Sequence, residues 1–473
     1  GNLNNIGVEY FNLSQNQKSL EYYEKALCIS REVGDRSGEA FILNNILGVY
    51  SNFDLYHKSL AIFYGKQAVN TIQNLRQDNE NLNSIAKQKY LQSKEDIYRN
   101  TASFTIDSGR ISEAQQVLDI LKLDEYDSYI RRDRSAYTPQ YSPIDYTGFE
   151  QKWIDWQKVV MEKLSSISKP YHELLIKSNK VPEEAKKLEA LKVDLEKSQK
   201  EYSDFLALMK AEFEKHEKEK DPDIEALSKK SSVLKELLLA IDRESNGKNV
   251  ALHFLIFKGQ ISVIITTPTL QTVKQSATFD EKEFNRVIYD YREVIAKLKG
   301  FPRGLRLLPS TGGQIEKLIM QKKDIETKLY NLIFLPAAQY LKQYGAINLL
   351  VSLDGVLRYI PLSSLYDGEH YLIQKYRFVL LTPSSLKHID KKFINEMKIL
   401  GMGAGKGGNG FAPLPFVNRE IRAIVNDTKK GCLGIIKGHA LIDDEFSRRA
   451  MVRRLKTTGY PFVHIASHFN FSP

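Results

Sequence analysis

Cysteine is scarce. Only Cys28 and Cys432 occur among 473 residues, far apart and in unlike contexts, which excludes a disulfide framework and a Cys-x-x-Cys metal pair and predicts a reducing, cytoplasmic setting. No run of 18 apolar residues is present, so no segment reads as a membrane-spanning helix, and the first residues lack the basic-then-apolar order of a signal peptide. Fifteen prolines and 27 glycines are too few for a collagenous or low-complexity chain. With 42% hydrophobic and 27% charged residues, a disordered chain is excluded as well.

What remains is a globular chain long enough for two to four domains. The formal charge of +10 reads as lysine dispersed over glutamate-rich helices, so nucleic acid is not an expected partner. A nucleic-acid reading would start from Arg131-Arg132-Asp133-Arg134 and from Arg448-Arg449 through Arg453-Arg454.

Residues 1–125 repeat with a period of about 40: Leu3-Asn4-Asn5-Ile6 returns as Leu43-Asn44-Asn45-Ile46, Tyr10 as Tyr50, and Lys18-Ser19-Leu20 as Lys58-Ser59-Leu60. A period of this length means stacked helix pairs. Gly7, Ser19 and Ala26 fall where small residues allow close helix approach, with Tyr10 and Tyr23 filling gaps, which is the tetratricopeptide pattern. The abrupt start at Gly1 suggests further repeats before it.

Residues 126–248 begin with a tyrosine- and arginine-rich linker to Tyr146, then turn helical. Leu188, Leu191, Leu195, Ser198, Tyr202, Phe205 and Met209 alternate spacings of three and four, the seam of a helical hairpin or of an intermolecular coiled coil. From residue 249 the period changes. Ala251–Phe257 and Ile261–Thr267 are β-branched runs joined by Lys258-Gly259-Gln260, a hairpin. Strands are then expected at 347–353, 376–381, 398–403, 433–437 and 462–466, with helices at 418–426 and 443–455. This alternation implies an α/β sandwich, divided at 249–395 and 396–473.

In an open α/β sheet, reactive side chains collect where central strands end. Phe462-Val463-His464-Ile465-Ala466 is an apolar strand and Ser467-His468 its exit, so His468 is the candidate general base. His464 lies inside the strand and reads more naturally as a buried histidine with a backbone partner. The run Gly401–Gly410 follows a strand but lacks the Gly-Lys-Ser/Thr ending of a phosphate loop, and no cofactor or metal ligand set is seen.

"FVHIASHFNF" resembles the histidine motif of CHAT proteases, caspase-like relatives of separase. Val351–Leu362, Leu414–Ile421 and Gly438–Phe446 resemble three further family segments in the expected order. The chain is therefore similar to a TPR-CHAT protein, with an α + α/β fold: tetratricopeptide-like repeats, a helical hairpin, then a caspase-like α/β/α sandwich. The resemblance implies a cysteine endopeptidase with His468 as base and backbone amides near Ser467 and Phe469 at the oxyanion; Phe469 stands where the family usually has glycine. It also implies that the nucleophile is a cysteine on a later strand, absent from these 473 residues, which are expected to be inactive alone. Asp354 and Glu420 are candidates for a substrate pocket selecting a basic residue. The implied partners are a protein substrate and a regulatory protein or ribonucleoprotein at the repeats, in prokaryotic defence or signalling, where relatives activate gasdermin-like pore formers or act beside RNA-guided effectors. The competing expectation is a non-catalytic scaffold with a pseudoenzyme domain.

Overall fold

The computed structural model describes all residues except 1, 52–56, 79–92, 126–142, 218–231, 245–247, 301–308, 382–396, 408–410, 458–459 and 469–473. The linker at 126–142, with its arginine cluster, and Phe469 lie outside the described residues. The chain divides into two compact units, residues 1–387 and 388–473.

The first unit opens with helices α1 (Asn2–Asn12), α2 (Asn16–Val33), α3 (Arg36–Tyr50), α4 (Lys58–Asp78), α5 (Glu95–Asp107) and α6 (Ile111–Glu125), which pack as consecutive pairs. Sequence repetition appears here as repeated bonding. Asn45 Nδ2 donates to Asn4 Oδ1 at 3.0 Å, and Asn100 Nδ2 donates to Asn44 Oδ1 at 3.1 Å, so the asparagines join one pair to the next. Gly7 lies against the Tyr23 ring, where a Cβ would come within 2.6 Å of ring carbons, and its carbonyl accepts from Ser19 Oγ.

Helices α7 (Gly148–Ile176) and α8 (Pro182–His216) form the expected hairpin within one chain. Leu195, Ser198, Tyr202, Phe205 and Met209 of the seam are buried, and Trp153 packs between Phe205 and Phe213. The capping-box residue Glu150 also accepts from Lys66 at 2.7 Å and Arg110 at 2.9 Å, so it fastens the hairpin to α4 and α6.

Helix α9 (Ser232–Glu244) leads into a five-stranded sheet of order β3-β2-β1-β4-β5. Its strands are β1 (Lys248–Phe257), β2 (Gln260–Thr266), β3 (Gln271–Gln275), β4 (Ala346–Ser352) and β5 (Arg377–Leu380). Strands β1 to β3 form an antiparallel meander, while β1, β4 and β5 run parallel. Helices α10 (Glu281–Gly300), α11 (Pro309–Leu329) and α12 (Leu335–Tyr344) cover the face bearing Val250, Leu252 and Phe254. On the other face, Leu255 and Ile264 join the core of the repeats and hairpin, and Ala251 and Leu350 pack on α9. Helical repeats and sheet therefore share one core.

His253 of β1 is 1% exposed, and neither ring nitrogen makes a hydrogen bond. Burial, helped by the nearby Lys122 ammonium, pushes its pKa down to about 3. Because the unfolded histidine titrates near 6.5, the unfolded state binds the extra proton between those values, so stability is lost as the pH falls below about 6.5. We expect the unfolding free energy of the first unit to drop by as much as ~1.4 kcal/mol per pH unit from this group. Chemical unfolding at pH 7 and pH 5 should show the drop shrinking in His253→Phe; an unchanged pH slope would contradict it.

The second unit holds β6 (Ile399–Gly403), helix α13 (Val417–Ile424), β7 (Val425–Asp427), β8 (Cys432–Leu433), β9 (Ile436–Ile442), helix α14 (Arg448–Thr457) and β10 (Phe462–Ala466). The strand order is β10-β6-β9-β7-β8, parallel except for β8. The strand expected at 433–437 is two strands, and the longer runs to Ile442, because Gly438 and Ala440 pair with Ile399 and Gly401. A Cβ at Gly438 would lie 1.9 Å from the Ile399 carbonyl oxygen, so glycine allows the two strands to meet. The helix expected at 443–455 begins instead as a 3₁₀ turn, Asp443–Glu445, and becomes α-helical only at Arg448. Gly401 and Gly403 leave room for Val425, Val417 and Ile421, seating α13 on one face, while Leu400, Met402 and Leu441 pack under α14 on the other.

Candidate active site

Strand β10 is an edge strand whose register sets His464 opposite Gly401 and Ala466 opposite Gly403. Hydrogen bonding of Ala404 N to Ala466 O at 2.9 Å continues the ladder to the strand's last residue. Ser467 and His468 therefore emerge from the carboxyl end of a parallel sheet, where side chains are freed from the ladder.

His468 is held at two points. Its Nε2 lies 2.7 Å from the Ala412 carbonyl oxygen, and its ring stacks on Phe411 with centroids 5.0 Å apart. A carbonyl oxygen only accepts, so Nε2 donates to it, and in the tautomer this bond selects Nδ1 is the basic nitrogen. That is the state a general base needs. The segment carrying Ala412 is itself fixed: Leu414 N donates to Gly405 O at 2.8 Å, and Asp443 Oδ1 accepts from Gly405 N at 2.7 Å and Lys406 N at 3.0 Å. Asp443 adopts φ +52°, a left-handed conformation that aspartate tolerates. Burial pushes its carboxyl up, but the two amides and the Asn418 side chain outweigh this and hold it below the usual carboxylate range. Asp443, Phe411 and the Ala412 carbonyl were not singled out from sequence, because a backbone oxygen and a turn carboxylate carry no residue-type signal of their own.

His464 differs from its expected place. It is about one-third exposed rather than buried, and its Nε2 bonds Glu420 Oε1 at 2.8 Å rather than a backbone group. Glu420 in turn lines a cleft of about 290 Å³ with Leu414, Phe416, Val417, Ala466 and Ser467. Glu420 thus reaches a cleft beside the histidine exit.

Asp354 lines a different cleft, of about 650 Å³ within the first unit, together with Glu95, Arg99, Lys258 and Glu281. Its side chain is fully buried in the first unit, accepting from Arg99 Nη1 at 2.5 Å, Arg99 Nη2 at 3.0 Å and Ile256 N at 2.8 Å. Burial would raise its carboxyl, yet the Arg99 guanidinium and the amide hold it below its ordinary range. The Asp-Gly turn after β4 is an internal ion-pair site.

Both cysteines are buried and free. Cys28 packs in α2, where burial first and Glu32 second push its thiol up to about 11. Cys432 lies on β8, the sheet edge opposite β10. Four strand spacings of about 4.8 Å separate those edges, far beyond proton-transfer reach of His468. Among the described residues, no three histidine, cysteine, aspartate or glutamate side chains are placed to hold a metal ion, and no helix is long and apolar enough to cross a membrane.

No curated protein matches the chain. Residues 323–473, roughly a third of the chain, running from within α11 to beyond β10, match the family model described as the CHAT domain, a family related to caspase-like peptidases.

Proposed function

We propose that the chain is the histidine-bearing part of a cysteine endopeptidase, with the stacked helix pairs acting as tetratricopeptide repeats that dock a regulatory protein or ribonucleoprotein in the cytoplasm. The observation that carries this reading is the His468–Ala412 hydrogen bond, which engages Nε2 and turns Nδ1 into the nitrogen available as base at the carboxyl end of a parallel sheet. In this mechanism His468 Nδ1 takes the proton of a cysteine thiol, and the thiolate attacks a peptide carbonyl. Backbone amides near Ser467 and Phe469 receive the developing oxyanion charge in this reading. His468 then returns the proton to the leaving amine.

The nucleophile is neither Cys28 nor Cys432, given their burial and the distance of β8 from β10. It is a cysteine outside these 473 residues. A peptidyl electrophile directed at thiols tests this: in a protein carrying the nucleophile it should label one cysteine, and in the native 473-residue chain neither. Labelling of Cys432 with accompanying substrate cleavage would end the proposal.

The cleft beside His468 has apolar walls and one carboxylate, Glu420, a combination that fits an aliphatic stem with a cationic tip. A peptide-library profile of the complete enzyme should therefore favour arginine or lysine before the scissile bond. Glu420→Gln should weaken that preference about tenfold, the loss of roughly 1.4 kcal/mol of charge-assisted bonding. A preference for apolar or acidic residues would remove Glu420 from the role.

A further inference from the structure

The chain's charge is not dispersed as its overall composition suggests. Residues 397–473 contain twelve lysines and arginines against five acids, so +7 of the chain's +10 lies in this stretch. The second unit is where a polyanion would be attracted.

On its sheet, Ala440 faces α13 and Leu441 faces α14, so strand alternation puts Lys437 and His439 on the α14 side. This is the face opposite the Glu420–His464 pair. Helix α14 and the segment before β10 lie on this face with His439. Arg454 lies on the inward stripe of α14 with Ala450 and Met451, and is half-buried. Lys429 and Lys430, in the turn after β7, are close enough, with Arg454, to act electrostatically on the imidazole. Tyr460 places its hydroxyl 2.6 Å from His439 Nδ1.

The ring's chemistry follows from these neighbours. Burial, then Arg454, Lys429 and Lys430, lower its pKa, while Asp427 opposes them. The imidazole is thus neutral near pH 7, and with Nδ1 engaged by the Tyr460 hydroxyl, Nε2 is the ring nitrogen that faces a ligand. Two acids are close by but committed: Asp427 accepts from the Ala440 amide at 3.1 Å, and Glu445 pairs with Lys430. Cations carried by several elements around one face suit a chain of phosphodiesters better than a single planar carboxylate, which one arginine satisfies. Beyond His439 the charge continues through exposed Arg449 and Arg453, four residues apart on α14, and exposed Lys437.

We propose that His439, Arg454 and Lys429, extended by Lys437, Arg449 and Arg453, form a phosphodiester-binding surface that seats a nucleic-acid backbone without reading its bases. The surface is separate from the cleft beside His468 and does not depend on protease activity.

The test uses the 473-residue chain and a mixed-sequence single-stranded RNA, with binding followed by fluorescence anisotropy across a potassium chloride series. Four to five neutralised phosphates predict a log-affinity against log-salt slope of about −3. Arg449→Glu/Arg453→Glu, both fully on the surface, should lower affinity at least tenfold and flatten the slope by about one. Arg454→Gln should do so without charge reversal. In the wild type, ¹⁵N-histidine spectra should show the His439 signal moving on RNA addition and its titration shifting to higher pH, since a bound anion favours the imidazolium. The proposal is overturned if RNA fails to bind at low salt, or if the arginine variants bind as well as wild type. Equal or tighter binding to polyglutamate or to phosphatidylserine vesicles would also overturn it, assigning the surface to an acidic protein or a membrane.

Discussion

Replacing Arg99 with methionine should cost the 1–387 unit roughly 3–5 kcal/mol, because it strands the fully buried Asp354 carboxylate without its counter-ion. Arg99 also pairs with Glu95 at 2.5 Å and donates to the Ile256 carbonyl at 3.1 Å, so the substitution further removes a cap from the end of β1. The chain has two units, so urea unfolding should be followed by probes specific to the first. The pH dependence identifies the mechanism. A carboxyl held below its ordinary range contributes stability above the unfolded pKa near 3.9, and this is lost as the pH falls through the lower folded value. In Arg99→Met the deficit should therefore be greatest at neutral pH and narrow in acid, where a protonated Asp354 no longer needs a partner. Arg99→Met/Asp354→Leu should recover part of the loss, since no buried charge is left unpaired. A loss below about 1 kcal/mol for Arg99→Met would show that the pair is dispensable.

This pair belongs to a wider arrangement at the strand ends. Lys122 of α6 donates to the Ser352 carbonyl at the end of β4 at 3.1 Å and to the Phe254 carbonyl, in the last part of neighbouring β1, at 3.2 Å, just as Arg99 of α5 grips Asp354 after β4. In an open α/β sheet the crevice at these ends usually receives a ligand. Here two cations from the helix pairs bond the strand-end carbonyls and the Asp354 carboxylate.

Sequence reading succeeded where a pattern reports directly on burial. The seam from Leu195 to Met209 marks a buried helix face, the runs at 251–257 and 261–266 mark paired strands, and the 40-residue period marks helix pairs joined by matching asparagines. It failed where long-range contact decides. The strand expected to end at 437 runs on through Gly438-His439-Ala440, because Gly438 lets β9 lie against Ile399. Asp354 reads as a candidate pocket carboxylate, and nothing local announces that an arginine 255 residues earlier in the chain reaches it. Charge was misread for a different reason: a chain-wide balance averages glutamate-rich helices with a basic C-terminal stretch. At the candidate site, His468 was legible from its place after an apolar strand, whereas its orienting group was not, being a backbone carbonyl 56 residues away.

His468→Ala, made in a protein that carries the nucleophile, should lower kcat/KM by at least 10³ while leaving the thermal transition of the second unit in place. Loss of a general base costs about 10² to 10⁴ in rate, and the expected value lies in the upper half because the same ring must activate the thiol and protonate the leaving amine. Stability should hold because His468 is exposed, contributing one hydrogen bond and a stacking contact with Phe411 rather than core volume. His464→Ala is the control that separates the two histidines. Its ring bonds Glu420 from within β10, so its loss should alter the cleft wall and raise KM for peptides with a basic residue before the cut, with a kcat effect of tenfold or less. Asp443→Ala should fall between them, since it frees the loop that holds the Ala412 carbonyl against Nε2 without removing the base, and so lowers kcat by loosening the ring rather than deleting it. Were His464→Ala to abolish turnover with a normal melting curve while His468→Ala remained active, the base would be the histidine inside the strand, and the Ala412 hydrogen bond would be a structural tether.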